Sequence, residues 1–393
     1  MPRRPVVLTF GLLTGMFAAG YGVMFTVLDD LRDAYGISEA ALGLVVAMGF
    51  FTSFFAQLFI APLADRGHAR SLVFIGLVLN VVGLVTMAFG SDIWVLLAGR
   101  FVFGIGVGMA VPAVRRIVIL AEPERLGHNL GRLVSADVAG FALGPALSAV
   151  LVGPFGIAAP FLVIAALSVA CLPVILRVHV TETRDAPKTK LAVDLLRIRP
   201  VVAAVAMGSA TFMMIGTFDA LWVLVLDDLD APSWMANIGV TIFATPFVLL
   251  ASVGGRAAQR HGPFRIAAAG LLCGSLSMFL YGQMTTGTAM LIVGIFHATT
   301  DGLTVSAAGV AVGLSVPAER QAGAQGLLGA SETLVGGMAA LAAGSIYDGW
   351  GQTAAYTTAG LVMFGLTAFG WWWAGATRGL RGETVVAEPV PAA

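Results

Sequence analysis

Apolar residues fall along this chain in blocks of about 20, the length that a helix needs to cross a bilayer core about 30 Å thick. A window of that length finds about twelve such blocks, beginning near Val6, Ala40, Ser71, Ile93, Leu130, Ile157, Val201, Met235, Phe264, Thr288, Ala322 and Thr353. The first follows Arg3 and Arg4 as a signal peptide would. It runs on into Val27, Leu28, Asp29 and Asp30 without a small-residue cleavage site, and is expected to stay on the mature protein. The pattern therefore predicts an all-α integral membrane protein of twelve transmembrane helices.

One polar stretch interrupts the rhythm. Residues 177–200 carry Glu182, Arg184, Asp185, Pro187, Lys188, Lys190 and Asp194, too many charges for a span. This divides the chain into a six-helix bundle (1–176), a linker (177–199), a second six-helix bundle (200–376) and a tail (377–393). The halves echo each other at an offset of about 195 residues. Leu28, Asp29, Asp30 and Leu31 recur as Leu226, Asp227, Asp228 and Leu229. Leu63, Ala64, Asp65 and Arg66 line up with Ala257, Ala258, Gln259 and Arg260. Arg125 aligns with Arg320, Asp137 with Glu332, and Gly156 with Gly351. Two pseudo-symmetric bundles are the plan of alternating-access transporters, which hold substrate at the midplane between them.

Composition agrees: 58% of 393 residues are apolar, only 11% are charged, and glycine is abundant at 49, outside the soluble range. The net charge is zero, but its distribution is not even. With the N-terminus inside, 20 of the 22 Lys and Arg fall on cytoplasmic segments, the exceptions being Arg32 and Arg100. External loops instead carry Asp29, Asp30, Asp33, Glu39, Asp92, Asp227, Asp228, Asp230 and Asp348. The positive-inside rule then predicts cytoplasmic N- and C-termini in a cell inner (plasma) membrane. Nothing in this balance favours a nucleic-acid partner. The cysteines, Cys171 and Cys273, lie in separate spans, so no disulfide framework or metal site is expected.

Three motifs, each at the span where it belongs, make the chain resemble the major facilitator superfamily over essentially its whole length. The loop between spans two and three reads Ala61, Pro62, Leu63, Ala64, Asp65, Arg66, Gly67, His68, Ala69, Arg70. It is similar to that family's Gly-x-Leu-Ala-Asp-Arg-x-Gly-Arg-Lys, departing at Ala61, His68 and Ala69. The fourth span carries Leu96, Arg100, Phe103, Gly104 and Gly106, similar to a second signature whose usual Gln is here Phe103. The fifth carries Gly131, Gly140, Gly144, Pro145 and Ser148, resembling the signature of exporters, with Ser148 in place of its last Gly.

The resemblance implies that Asp65, with Arg66 and Arg70, forms a conformational switch. The family sets this acid against the N-terminus of span eleven, where free N–H groups and the helix dipole favour a carboxylate. Gly140 and Gly144 permit close helix approach and Pro145 bends the span, as a hinge between rocking halves needs.

Ionisable residues inside spans are costly and are functional candidates by default. Arg100 is a fixed cation placed to attract a carboxylate. Asp137 and Glu332 occupy equivalent places about two turns into spans five and eleven, as gate acids or interior caps with Arg115, Arg116 or Arg125 as partners. Asp219 and Asp301 have no match in the first half and lie in spans expected to line the cavity. A carboxyl in a medium of low dielectric constant holds its proton more tightly, so each is a candidate proton or substrate group. His297, one turn before Asp301 on the same face, is placed to tune it. Tyr21, Met24, Phe54, Met214, Phe218 and Trp222 are candidates for a pliable apolar pocket.

The function expected is a proton-coupled antiporter, resembling the twelve-span drug:proton antiporters, that exports amphipathic small molecules. The alternative is a major facilitator carrier for one metabolite such as a sugar or amino acid. A monomer in the lipid bilayer, with protons and a small-molecule substrate as partners, is expected. HExxH, a nucleophile elbow and GxxxxGK[ST] are all lacking from the sequence, so an enzyme, direct ATP drive and a cofactor are not expected.

Overall fold

A computed structural model describes residues 4–177 and 191–381; most of the expected linker and tail, 178–190 and 382–393, lie outside the described residues. All regular structure there is helical. The chain runs through α1 (Arg4–Thr26), α2 (Leu28–Tyr35), α3 (Glu39–Phe59), α4 (Ala69–Ala88), α5 (Ile93–Ala121), α6 (Leu126–Phe155) and α7 (Ala158–Arg177). After the linker come α8 (Arg199–Asp228), α9 (Ser233–His261), α10 (Pro263–Tyr281), α11 (Gly287–Thr304), α12 (Ala307–Ser315) and α13 (Gln321–Ala374). α13 is two helices joined at Gly351, whose φ of 78° and ψ of -177° suit glycine alone. Counting α13 twice, α11 with α12 as one broken span, and the shorter apolar helix α7 gives the twelve expected spans. Their starts lie within a few residues of the hydropathy blocks, and α5 begins at Ile93 as read.

Local chemistry fixes several starts. Asp92 accepts from the N–H groups of Trp94 and Val95, Ser38 from Ala41 and Thr286 from Ala289, capping α5, α3 and α11. These caps lie at the end of the molecule where the loops are acidic, here termed the acidic end; the opposite one is the basic end. The acidic Leu28–Leu31 stretch, read as part of a loop, is in fact helix α2. Leu31 is buried beneath it, Arg32 pairs with Asp29 at 3.1 Å and Asp33 at 2.9 Å, and Gly36 closes it in the left-handed region at φ 66°. Its repeat, Leu226–Leu229, instead ends the long α8.

Within the first half α1 packs on α6, and α5 on α3 and α4; in the second, α8 packs on α13, and α9 and α10 on α11. The halves meet along two seams, α6 against α9 and α3 against the first part of α13. Both rest on glycine. A Cβ on Gly131 or Gly127 would overlap Ala251 O or Gly255 O, and one on Gly326 would lie 2.5 Å from Gln57 O. Backbones touch because no side chain stands between them.

Candidate functional site

Every hydrogen bond that joins the two halves among the described residues lies in the basic half of the molecule. On the α3/α13 seam, Asp65 sits where α3 gives way to a short 3-10 turn. Its Oδ1 accepts from Ala322 N at 2.9 Å and Oδ2 from Gly323 N at 2.7 Å. These are first-turn N–H groups of α13, which no carbonyl within that helix can satisfy. Arg116 of α5, fully buried, adds an ion pair at 3.0 Å. The Asp65 carboxylate is thus held by one helix dipole and one guanidinium at once. Arg66 is half-buried beside it, and the exposed Arg70 donates to Leu176 O, tying the loop to α7. One and two turns into the seam, Gln57 donates to Thr333 at 3.3 Å and to Ser53 at 3.2 Å.

The other seam repeats the plan with different chemistry. Gln259, which aligns with Asp65 in the repeat, accepts from Gly127 N at 2.8 Å, in the first turn of α6. Its amide nitrogen reaches Pro123 O at 3.4 Å and Glu124 O at 3.2 Å. Both seams closed in this way seal the basic end.

Farther from the basic end, Asp137 and Asp219 lie within spans with exposed side chains. Asp137 comes from α6, and Glu332, 8% exposed, from α13 of the other half. Of the three arginines expected as partners, Arg115 of α5 is the one whose charge reaches both acids. Arg116 is committed to Asp65. Glu332 fits because its neighbour on α8 is Gly208, where a Cβ would lie 2.8 Å from Oε1.

Arg100 is seated differently from the expectation. It is fully buried in α5, and no carboxylate pairs with it among the described residues. Its guanidinium lies 4.4 Å from the Tyr21 ring centroid and 5.1 Å from that of Phe103, with no hydrogen-bond partner. Aromatic faces take the place of the expected anion. Gly49 makes the room, since its Cβ would lie 2.5 Å from Nε, and its carbonyl accepts from the Tyr21 hydroxyl at 3.3 Å.

Asp301 and His297 point away from the exposed face of α11, formed by Ile292, Ile295, Phe296 and Leu303. Both are buried, with His297 Nε2 3.0 Å from Asp301 Oδ2 and out of hydrogen-bond alignment. The expectation that Asp301 lines an open cavity therefore needs correcting: in this conformation it faces Gly274 of α10 inside the second bundle. Sequence reading also passed over Tyr281 of α10, whose hydroxyl is 3.1 Å from His297 Nδ1. A tyrosine sixteen positions away in another span gives no local signal.

Among the pocket candidates, Tyr21 and Phe54 are half-exposed. Met24, Met214, Phe218 and Trp222 are instead covered by neighbours. Phe218 and Trp222 stack at 4.9 Å and both meet Phe243 of α9, so these rings join α8 to α9. Gly140 and Gly144 of α6 sit against Gly15 and against Gly22 and Val23 of α1, with Pro145 beside Gly22. No cluster of three or more metal-ligating side chains occurs among the described residues.

Comparison with known proteins places this geometry. The family model of the Major Facilitator Superfamily matches residues 10–236 and 205–392. The quinolone resistance protein NorA of Staphylococcus aureus (strain MRSA252) is 28% identical over 148 residues, 37% of this chain and 38% of NorA. The 4-hydroxybenzoate transporter PcaK of Pseudomonas aeruginosa is 34% identical over 161 residues, 39% of this chain and 34% of PcaK. The chain thus spans little more than a third of the length of either relative. Two solved structures share the fold at a TM-score of 0.80. The human organic anion transporter MFSD10 (TETRAN) is 17% identical, covering 94% of this chain and all (100%) of that one. The proton:xylose symporter XylE bound to 6-bromo-6-deoxy-D-glucose is 15% identical, covering 98% of each. The chain belongs to the Major Facilitator Superfamily and is a multi-pass membrane protein.

Proposed function

We propose that the protein is a proton-coupled antiporter that exports amphipathic small molecules by alternating access, acting as a monomer in the cytoplasmic membrane. The basic end is cytoplasmic, and the conformation described, sealed there by both seams, is the outward-facing one. The observation that carries the reading is Asp219, a carboxylate with an exposed side chain in the middle of an apolar span, with no ion-pair partner among the described residues. A carboxylate so placed attracts a lipophilic cation and gives it up when protonated. Asp301, tuned by His297, carries the coupled proton, and Arg100 supplies a fixed positive charge. Asp65, with Arg66 and Arg70, is the switch. Asp137 and Glu332 are gate acids sharing Arg115, and Gly140, Gly144 and Pro145 form the hinge. The likeness to NorA, a quinolone resistance protein, supports this reading.

A carrier for one anionic metabolite is the second reading. Arg100, a buried cation without a carboxylate partner, favours it, as does the likeness to PcaK. Proteoliposomes with an imposed pH gradient, offered ethidium and separately 4-hydroxybenzoate, decide between them. The antiporter exchanges ethidium for protons, and Asp219→Asn lowers that exchange at least ~10-fold, the equivalent of about 1.4 kcal/mol. Uptake of 4-hydroxybenzoate with no ethidium exchange overturns the antiport reading.

A further inference from the structure

Hydroxyl, imidazole and carboxyl groups form a series from the acidic end into the second bundle. At the acidic end, Tyr347 of α13 donates to the exposed carboxylate of Asp228. Tyr347 is itself partly exposed, and Tyr356 follows it in α13, buried beyond the Gly351 bend. The Tyr356 ring lies 5.5 Å from that of Tyr281, and its hydroxyl is buried with no hydrogen-bond partner. Buried polar groups are nearly always satisfied, so an orphan hydroxyl at this place calls for an explanation. Tyr281 then meets His297 Nδ1 at 3.1 Å, and His297 Nε2 meets Asp301 at 3.0 Å. Asp228 is exposed and Tyr347 half-buried, whereas Tyr356, Tyr281, His297 and Asp301 are all buried. None of the four inner groups lies on the exposed face of α11, and Asp219 belongs to α8.

We propose that these six residues form a proton path from the acidic end to Asp301, inside the second bundle and separate from the substrate cavity. In the inner step a turn of the imidazole brings Nε2, 3.0 Å from Asp301, into line with the carboxylate; the Tyr281 hydroxyl then gives its proton to Nδ1 of neutral His297 as the Nε2 proton passes to Asp301. The imidazole stays neutral and exchanges one tautomer for the other, resetting by rotation of the ring. The Tyr281 oxygen regains a proton from the Tyr356 hydroxyl, which is refilled from solvent by way of Tyr347 and Asp228. Around Asp301, α10 contributes Tyr281 and the second part of α13 contributes Tyr356. α9 faces α11 with Phe243 and Pro246, and no cation pairs with Asp301 among the described residues. Substrate and proton would then reach their sites by different doors. A bulky apolar molecule could occupy the cavity without blocking the refilling of Asp301.

The path rests on the proton-coupled reading for its purpose, but its test does not. Full-length protein in lipid vesicles is given an acid jump from outside, and the infrared band of the Asp301 carboxylic acid, assigned by its loss in Asp301→Asn, is followed in time. Tyr281→Phe and Tyr356→Phe, which keep the rings and the packing, slow the appearance of the band at least tenfold and leave its final amplitude unchanged. Asp219→Asn does not alter its rate. Wild-type rates in both tyrosine variants, or slowing by Asp219→Asn, overturn the path. If the wild-type protein fails to exchange ethidium for protons, the antiport reading fails on its own, and the infrared result still decides the path.

Discussion

The two seams that close the basic end are copies of one plan carried out with different chemistry. In each, a glycine in the second turn of a helix lets backbones touch, Gly326 on Gln57 and Gly131 on Ala251. In each, a residue at the basic end of the partner helix, Gln259 in the last turn of α9 or Asp65 just beyond α3, accepts from an N–H in the first turn of a helix of the other half. On one seam that residue is Asp65, taking two N–H groups and the Arg116 guanidinium. On the other it is Gln259, taking one N–H and giving its own amide protons to two carbonyls. Hydrogen bonds to a charged group contribute about 1.5–3 kcal/mol, against about 0.5–1.5 for neutral ones. The pair therefore separates how much of the closure is shape, common to both seams, from how much is charge, present in one.

Shape is expected to have the largest effect. Gly131→Val places a branched side chain where even a Cβ overlaps Ala251 O. Overpacking of this kind costs about 1–3 kcal/mol or more, and removing it requires the seam to open. Probes on His68→Cys and His261→Cys, exposed on opposite halves of the basic end, should report separation in most molecules, and transport should fall at least ~30-fold. A closed population equal to that of the unsubstituted protein would refute the glycine contact.

Charge comes next. Asp65→Asn keeps one acceptor for the N-terminus of α13 but leaves Arg116 without its carboxylate. A loss of about 2 kcal/mol should shift the closed-to-open ratio ~30-fold while membrane expression persists. An unchanged ratio at these probes would mean that Asp65 is an ordinary loop acid.

Smaller effects are expected at the neutral latch. Gln259→Ala strands Gly127 N and should shift the ratio by about 1 kcal/mol, ~5-fold. Gln259→Glu sharpens the comparison further. Ionised, the new carboxylate faces Pro123 O and Glu124 O and repels them; protonated, it can donate to one. Only in this variant should the α6/α9 seam loosen as pH rises, by a few-fold, read with the same probes at two pH values. A pH-independent ratio would show that the latch does not sense charge.

Much of this was readable in the residues themselves. Span positions follow from hydropathy because a bilayer tolerates little else. The offset that aligns Asp137 with Glu332 and Asp65 with Gln259 also aligns Gly131 with Gly326, so the seams could be paired before any coordinate was known. What escaped depends on helix rotation and on contacts between distant spans. Arg100 rests on aromatic rings because α1 and α5 turn Tyr21 and Phe103 toward it. Tyr281 meets His297 because two separate helices bring them to one depth. Phe218 and Trp222 face α9 rather than the cavity, a difference of a fraction of a helical turn that uniform hydropathy cannot mark. Helix α2 was missed because its amphipathic stretch of eight residues is too short and too acidic to stand out.

The glycine seams also bear on the thermodynamics of rocking. Gly127, Gly131, Gly255, Gly326 and Ala251 have no side-chain torsions to freeze when the halves come together, whereas long side chains would each lose up to about 2 kcal/mol of rotamer freedom. Closing these surfaces therefore carries almost no side-chain entropy. Temperature should move the closed fraction mainly through the Asp65 and Gln259 latches, whose hydrogen bonds hold the enthalpy, while the helix backbones part and meet again without melting a single rotamer.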